Sequence, residues 1–193
     1  MPTDIGNIAL VSYINGPLAV FLDSLRLRLT PASSPRAHVT ILPPRQLTVP
    51  VSGKPDLIFE QIREQIREQI REVCGECPPF QAEFGEVLIF PGSNVIYLDL
   101  QRGGEHFSAL HQQLNVGMLE FESGYRYHPH LTLAQGLAAD DALALLPLAC
   151  RLWAEFAGSR CFEIDAVTLV REDNFQSWSD LERIPCAAAV QTL

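Results

Sequence analysis

Apolar residues along this chain switch between a two-residue and a roughly four-residue period, which predicts alternating strands and helices. Ile8 to Ile14 is an apolar run of strand length. Asn15-Gly16-Pro17 opens a helix with apolar positions Val20, Phe21, Leu25 and Leu29, ending before Pro31. After the turn-rich stretch Pro31 to Pro35, Arg36 to Leu42 reads as a short strand stopped by Pro43-Pro44. Pro50 to Pro55 is a loop containing Ser52-Gly53-Lys54, and Pro55 suits the first turn of the next helix. In that helix Glu-Gln-Ile-Arg occurs three times from Glu60, placing Ile62, Ile66 and Ile70 on one packing ridge. Glu60–Arg63, Glu64–Arg67 and Glu68–Arg71 are favourable i,i+3 pairs on its solvated side.

Phe80 to Phe90 and Asn94 to Leu100 read as a hairpin across Pro91-Gly92-Ser93. Gly103-Gly104 precedes a helix from Glu105 to Met118, and Tyr127 to Ala134 is again a strand. An Ala/Leu-rich helix spans Asp140 to Phe156, kinked or split at Pro147, before two final strands, Phe162 to Arg171 and Trp178 to Cys186. The order is βαβαβ followed by βαβαββ. The chain therefore reads as one two-lobed domain over residues 1–193, with an internal repeat of roughly 8–90 and 94–173.

Composition narrows the class. With 193 residues, 47% apolar, 19% charged, 12 Gly and 14 Pro, the chain is neither disordered nor collagen-like. Its net charge of −9 argues against tracking the many phosphates of a duplex, which takes a broad basic face, but leaves room for a small phosphate pocket. The N-terminal apolar run lacks a basic flank and breaks at Asn15-Gly16-Pro17, and no later stretch is long enough to span a bilayer. Five cysteines without framework spacing point to a reducing, cytoplasmic setting. Cys74-Gly-Glu-Cys77 is a CxxC, but zinc needs a second pair, and redox pairs gain thiolate character at a helix N-terminus whereas this one follows a helix.

The candidate chemistry lies in two short motifs. His38-Val39-Thr40-Ile41 and His130-Leu131-Thr132-Leu133 both read His, apolar, Thr, apolar, and stand 92 residues apart in matching strand contexts. Alternate side chains of a strand share a face, so each His/Thr pair points away from the core its apolar neighbours enter. Packed about a pseudo-twofold axis, the two pairs face each other across a cleft. Two imidazoles supply a base and an acid near neutrality, and two hydroxyls supply neutral donors for a bound oxyanion. That set suits hydrolysis or cyclisation at a phosphodiester without a metal.

The paired motif resembles the signature of the 2H phosphoesterase superfamily, which includes the 2′-5′ RNA ligase-like and RNA cyclic phosphodiesterase-like proteins. The likeness runs from the first strand to the last. It implies a two-lobed α+β fold with pseudo-twofold duplication, antiparallel sheets lining a central cleft, helices outside, and no cofactor. It also implies that His38 and His130 are the catalytic acid/base pair and that Thr40 and Thr132 bind phosphate. Leu42-Pro43-Pro44 and Trp178 resemble one bacterial branch, whereas Pro-Pro-Arg replaces the aromatic-rich continuation usual in the RNA cyclic phosphodiesterases.

Neighbouring residues extend the candidate site. Arg45, after the proline pair, and Arg36 are candidates to neutralise phosphate, and Tyr127 and Trp178 are candidate platforms for a base. His128 shares a face with His130 and lines the cleft or its rim; two histidines on one strand fall short of a metal site. His106 and His111 carry no partner pattern. The expected protein is a cytoplasmic phosphoesterase acting on a cyclic or 2′-5′-linked ribose phosphate, in a small nucleotide or at an RNA end, with neither membrane nor duplex as partner. The alternatives are a non-catalytic module that holds a nucleotide or RNA end on the same fold, and a redox or zinc protein centred on the CxxC.

Overall fold

The computed structural model describes residues 2–31, 36–50, 55–174 and 177–187. The expected turn at 32–35 and the Ser52-Gly53-Lys54 loop lie outside the described residues. The fold is α+β, with eight strands in two antiparallel four-stranded sheets among the described residues. In chain order the elements are β1 (Pro2–Tyr13), α1 (Gly16–Leu29), β2 (His38–Pro50), α2 (Pro55–Glu76), β3 (Phe80–Ile89), β4 (Ile96–Arg102) and α3 (Gly104–Leu114). A short 3-10 turn (Gly117–Leu119) follows, then β5 (His130–Ala134), α4 (Ala139–Ala154), β6 (Cys161–Ile164), β7 (Ala166–Asn174) and β8 (Ser177–Pro185). No described helix is long and apolar enough to cross a membrane.

One sheet has the order β2-β1-β7-β8 and the other β5-β4-β3-β6. The two orders correspond strand for strand. β1–α1–β2 and β4–α3–β5 are equivalent units, each an antiparallel pair joined through a helix. A single large core draws residues from both sheets and all four helices, including Leu10, Leu22, Ile70, Phe84, Leu110 and Leu152. Every strand of the second sheet lies between Phe80 and Ile164, whereas the first sheet joins β1 and β2 to β7 and β8 from the other end of the chain.

The departures from the sequence reading have local causes. In α1 the buried positions are Leu18, Leu22, Leu25, Arg26 and Leu29, a cleaner helical stripe than the expected one, and Val20 points to solvent. β2 continues through Pro43-Pro44 to Pro50, because it is an edge strand and because the register slips there: Ile8 pairs with Arg45 and Leu10 with Leu42. α3 stops at Leu114, four residues short of expectation, and Gly117 at φ 57° turns the chain into the 3-10 turn. β5 begins at His130 rather than Tyr127, after Pro129, which has no N–H for a ladder. α4 is unbroken through Pro147. The expected single strand Phe162 to Arg171 is two, β6 and β7, and they belong to different sheets.

The Ile62, Ile66, Ile70 ridge of α2 is buried as the four-residue period requires. Its Arg67 and Arg71 pair with Glu64 and with Glu182 of β8, while the Glu60 side chain lies outside the described residues. Gly103, at φ 85°, is needed where α3 starts: a Cβ there would stand 2.7 Å from the Gln81 carbonyl oxygen.

Candidate active site

β2 and β5 are edge strands of their respective sheets and run beside each other where the lobes meet. Alternation sends Val39, Ile41, Leu131 and Leu133 into the core, all at 1% exposure or less, and leaves both His/Thr pairs half-buried on the opposite faces. Each lobe's helix also reaches the other lobe's motif strand. The Arg26 Nε–H of α1 donates to the Thr132 carbonyl at 3.0 Å, and the His111 Nδ1–H of α3 donates to the Ile41 carbonyl at 2.8 Å.

The two histidines are held in the same way. His38 Nδ1 lies 2.7 Å from the Arg36 carbonyl oxygen, and His130 Nδ1 lies 2.7 Å from the His128 carbonyl oxygen. A carbonyl only accepts, so Nδ1 carries the hydrogen in both neutral rings and the lone pair sits on Nε2. Such a ring accepts a proton at Nε2 when neutral and donates one there when charged. Identical orientation by a carbonyl two residues back is a backbone property of the motif.

Their electrostatic settings differ. Burial pushes His38 down to about 4, aided by the Arg26 guanidinium and by the charge of His130, against the hydrogen bond to the Arg36 carbonyl and the Asp23 carboxylate. Burial also lowers His130, against the His128 carbonyl and the Asp99 carboxylate and with the His128 charge adding to the fall. Arg26 of α1 acts on the first ring and Asp99 of β4 on the second. Tyr13 of β1 stands opposite His38, and Asp99 of β4 stands opposite His130. Arg26 itself is buried on the apolar face of α1, 3.8 Å from Asp23, whose carboxylate accepts the Ala37 N–H at 2.6 Å.

A cavity of about 550 Å³ opens beside His38, Thr40 and Thr132. Arg26 and Glu172 also line it, Ala9, Val11 and Val170 form its floor, and Tyr13 and Trp178 wall one side. The Tyr13 hydroxyl donates to Asp180 at 2.5 Å, and the Arg36 guanidinium lies 3.6 Å from the centre of the Tyr13 ring. The His130 ring meets Phe90 and Tyr97 edge-on at 4.8 and 5.4 Å. Those two rings are themselves stacked at 3.8 Å.

The sequence-derived candidates thus divide. His38, Thr40, Thr132 and Trp178 border one cavity, with His130 close enough to influence His38. His128 instead donates to Asp99 at 2.9 Å in a separate hollow of about 500 Å³. Tyr127 stacks on His111 at 4.0 Å and donates its hydroxyl to the Thr40 carbonyl at 2.9 Å, so its ring is already occupied. Arg45 is buried, bonded to Asn115 at 2.9 Å and to the Leu119 carbonyl, and burial lowers its guanidinium to about 10. Both Tyr127 and Arg45 fasten β2 to the second lobe. Sequence reasoning passed over Arg26, Tyr13 and Asp99. Arg26 alone left a signal, a charge beside the apolar stripe of α1; the other two emerge only from strand register.

A fold of two antiparallel sheets that brings two His-x-Thr strands together is that of the 2H phosphoesterases. The 2′-5′ RNA ligase superfamily profile matches residues 15–175, and the chain belongs to that superfamily. Among solved structures, the TT0787 protein of Thermus thermophilus is similar over 95% of this chain and 99% of its own, with TM-score 0.63 and 15% identity. The apo form of E. coli LigT is similar over 96% and 98%, with TM-score 0.60 and 13% identity. E. coli LigT complexed with 3′-AMP is similar over 96% and 99%, with TM-score 0.59 and 14% identity. Among curated proteins, none matches the chain.

Proposed function

We propose that this protein, acting as one two-lobed unit, cleaves a cyclic or 2′-5′-linked ribose phosphodiester, in a small nucleotide or at an RNA end, with His38 as general base and His130 as general acid. The observation that carries this reading is the equivalent tethering of both imidazoles through Nδ1, which leaves two Nε2 atoms for proton transfer. The unlike surroundings support the assignment of roles. His38, held low by burial and Arg26, is the ring that stays neutral and accepts; His130, with Asp99 opposing its depression, is the ring that more readily carries a proton.

With a 2′,3′-cyclic phosphate, His38 Nε2 takes the proton of the attacking water as its oxygen bonds to phosphorus. Thr40 and Thr132 hydroxyls hold the non-bridging oxygens as charge builds on them, with the Arg26 charge nearby. His130 Nε2–H protonates the departing ribose oxygen. The two protons return to their starting sites through solvent. The cavity's Tyr13 and Trp178 give the base an aromatic wall. E. coli LigT, which shares the fold, has been solved with phosphate and with 3′-AMP, ligands of the class proposed here.

The test is a turnover assay of the purified protein with 2′,3′-cyclic nucleotides, cyclic-phosphate-ended RNA and 2′-5′ dinucleotides. Hydrolysis or ligation of at least one, unaffected by EDTA, is the expected result. Binding of these compounds with no turnover of any would replace the enzyme with a binding module.

A further inference from the structure

The CxxC at the end of α2 acquires a third thiol from the far end of the described chain. The Ala187 N–H donates to both the Cys74 carbonyl, at 2.8 Å, and the Cys77 carbonyl, at 3.1 Å, which draws Cys186 against the pair. The Cys186 N–H is tied to the Asp165 carbonyl at 2.8 Å, so the backbone holds it there from two sides. The Cys186 thiol lies close enough to the Cys74 and Cys77 thiols to influence the titration of both. Cys74 and Cys186 are buried and Cys77 is half-buried; all three are free thiols. Among the described residues no three His, Cys, Asp or Glu side chains are placed to hold a metal ion, so the cluster is not arranged as a zinc site.

We infer that Cys77 and Cys186 form a reversible disulfide, a redox staple that fixes the outer strand β8 to the end of α2. The bond requires little movement, since the backbone bonds of Ala187 bring the two residues together. Cys77 is the entry point because it alone of the three has substantial access to solvent. A low-molecular-weight disulfide such as oxidised glutathione supplies the oxidising equivalents. The Cys77 sulfur attacks one sulfur of the reagent, and one glutathione thiol leaves with the proton from Cys77. The Cys186 sulfur then attacks Cys77 Sγ in the mixed disulfide and expels the second glutathione, which takes the proton from Cys186. Two protein thiols are oxidised, and one glutathione disulfide becomes two thiols.

Cys74 does not enter the bond; its carbonyl accepts the Ala187 N–H and so holds Cys186 in place. Burial pushes the Cys77 thiol up to about 11, and the neighbouring Cys74 thiol together with burial raises Cys186, so oxidation is slow at neutral pH and quickens as pH rises. The staple is independent of the phosphodiester chemistry, although β8 also carries Trp178 of the cavity wall.

The test uses the full chain under native conditions, titrated with oxidised glutathione from pH 7 to 9 and analysed by intact mass and non-reducing peptide mapping. The expected product is about 2 Da lighter, contains a Cys77–Cys186 linked peptide, reverts with dithiothreitol and forms faster at pH 9. Cys186→Ser should stop at a glutathione adduct on Cys77, about 305 Da heavier, and Cys77→Ser should give neither species. Cys150→Ser should behave as the wild type. A Cys74–Cys77 bond, a permanent adduct on wild-type Cys77, stoichiometric zinc in the purified protein, or no 2 Da loss would each overturn the inference.

Discussion

The two half-sites are alike in everything the backbone sets and unlike in what the neighbouring strand supplies. Each has a histidine at the start of an edge strand, its Nδ1 tied 2.7 Å from the carbonyl two residues back, and a threonine two residues on. Beyond that, His38 faces Tyr13 with its Arg36 and Asp180 partners, whereas His130 faces Asp99 with its His128 partner. A repeated strand and turn reproduces geometry, while the charges around each ring, Arg26 beside His38 and Asp99 beside His130, set the two imidazoles apart. Equal orientation and unequal basicity are what an acid/base pair needs.

The strongest break of this comparison is removal of either ring. Under the proposed mechanism His38→Ala and His130→Ala each lower kcat for a 2′,3′-cyclic nucleotide by about 10²–10⁴-fold. The double variant falls little below the worse single one, because the groups act as a unit. A single variant at wild-type rate would show that the two rings do not share one reaction.

Thr40→Val and Thr132→Val come next. Each removes a donor to the charged oxygens while keeping a β-branched side chain suited to a strand, and each should lower kcat by roughly 10²-fold. Initial rates measure this, and a loss confined to KM would make the hydroxyls ground-state binders.

Arg45→Met separates the clasp from the site. It deprives the buried Leu119 carbonyl and Asn115 of a partner and should destabilise the fold by about 1–3 kcal/mol, read as a lower Tm, with kcat/KM per folded molecule unchanged. A tenfold loss of kcat/KM with Tm intact would restore Arg45 to the phosphate site.

The smallest effect, and the sharpest, is on pH dependence. The base works above about pH 4, where His38 loses its proton, and the acid works below the lowered pKa of His130. The profile of kcat/KM should therefore be a bell on the acid side of neutrality, its acid limb near pH 4 and its alkaline limb below 6.5. Asp99→Asn removes a charge that favours protonated His130, so the alkaline limb moves to lower pH while the acid limb stays. Movement of the acid limb instead would reverse the two roles.

Both motif strands, the isoleucine ridge of α2 and the α+β class were legible because each rests on a local period or a repeated pattern. The Pro43-Pro44 stop was misread because tolerance for proline depends on a strand's being at an edge, a property of the sheet. The division of Phe162 to Arg171 between two sheets left no mark, since Asp165 alone separates β6 from β7 and is no turn signal. Arg45 and Tyr127 looked like ligand contacts because guanidinium and phenol groups suit carbonyl oxygens of the protein as well as phosphates and bases. Cys186 stands more than a hundred residues from the CxxC, beyond the reach of any spacing rule.

The order of strands along the chain has a consequence for biosynthesis. Every strand of the His130 sheet has been made once residue 164 leaves the ribosome, and that sheet can start from the local β3–β4 hairpin. The His38 sheet waits: β1 and β2 emerge first but lack β7 and β8 until the last part of the chain is synthesised. Through most of translation the early strands therefore carry apolar Ala9 and Val11 with no Val170 to cover them, the interval in which a chaperone would have most to hold. The pocket is finished last, because its Val170, Glu172 and Trp178 lie in or beside β7 and β8.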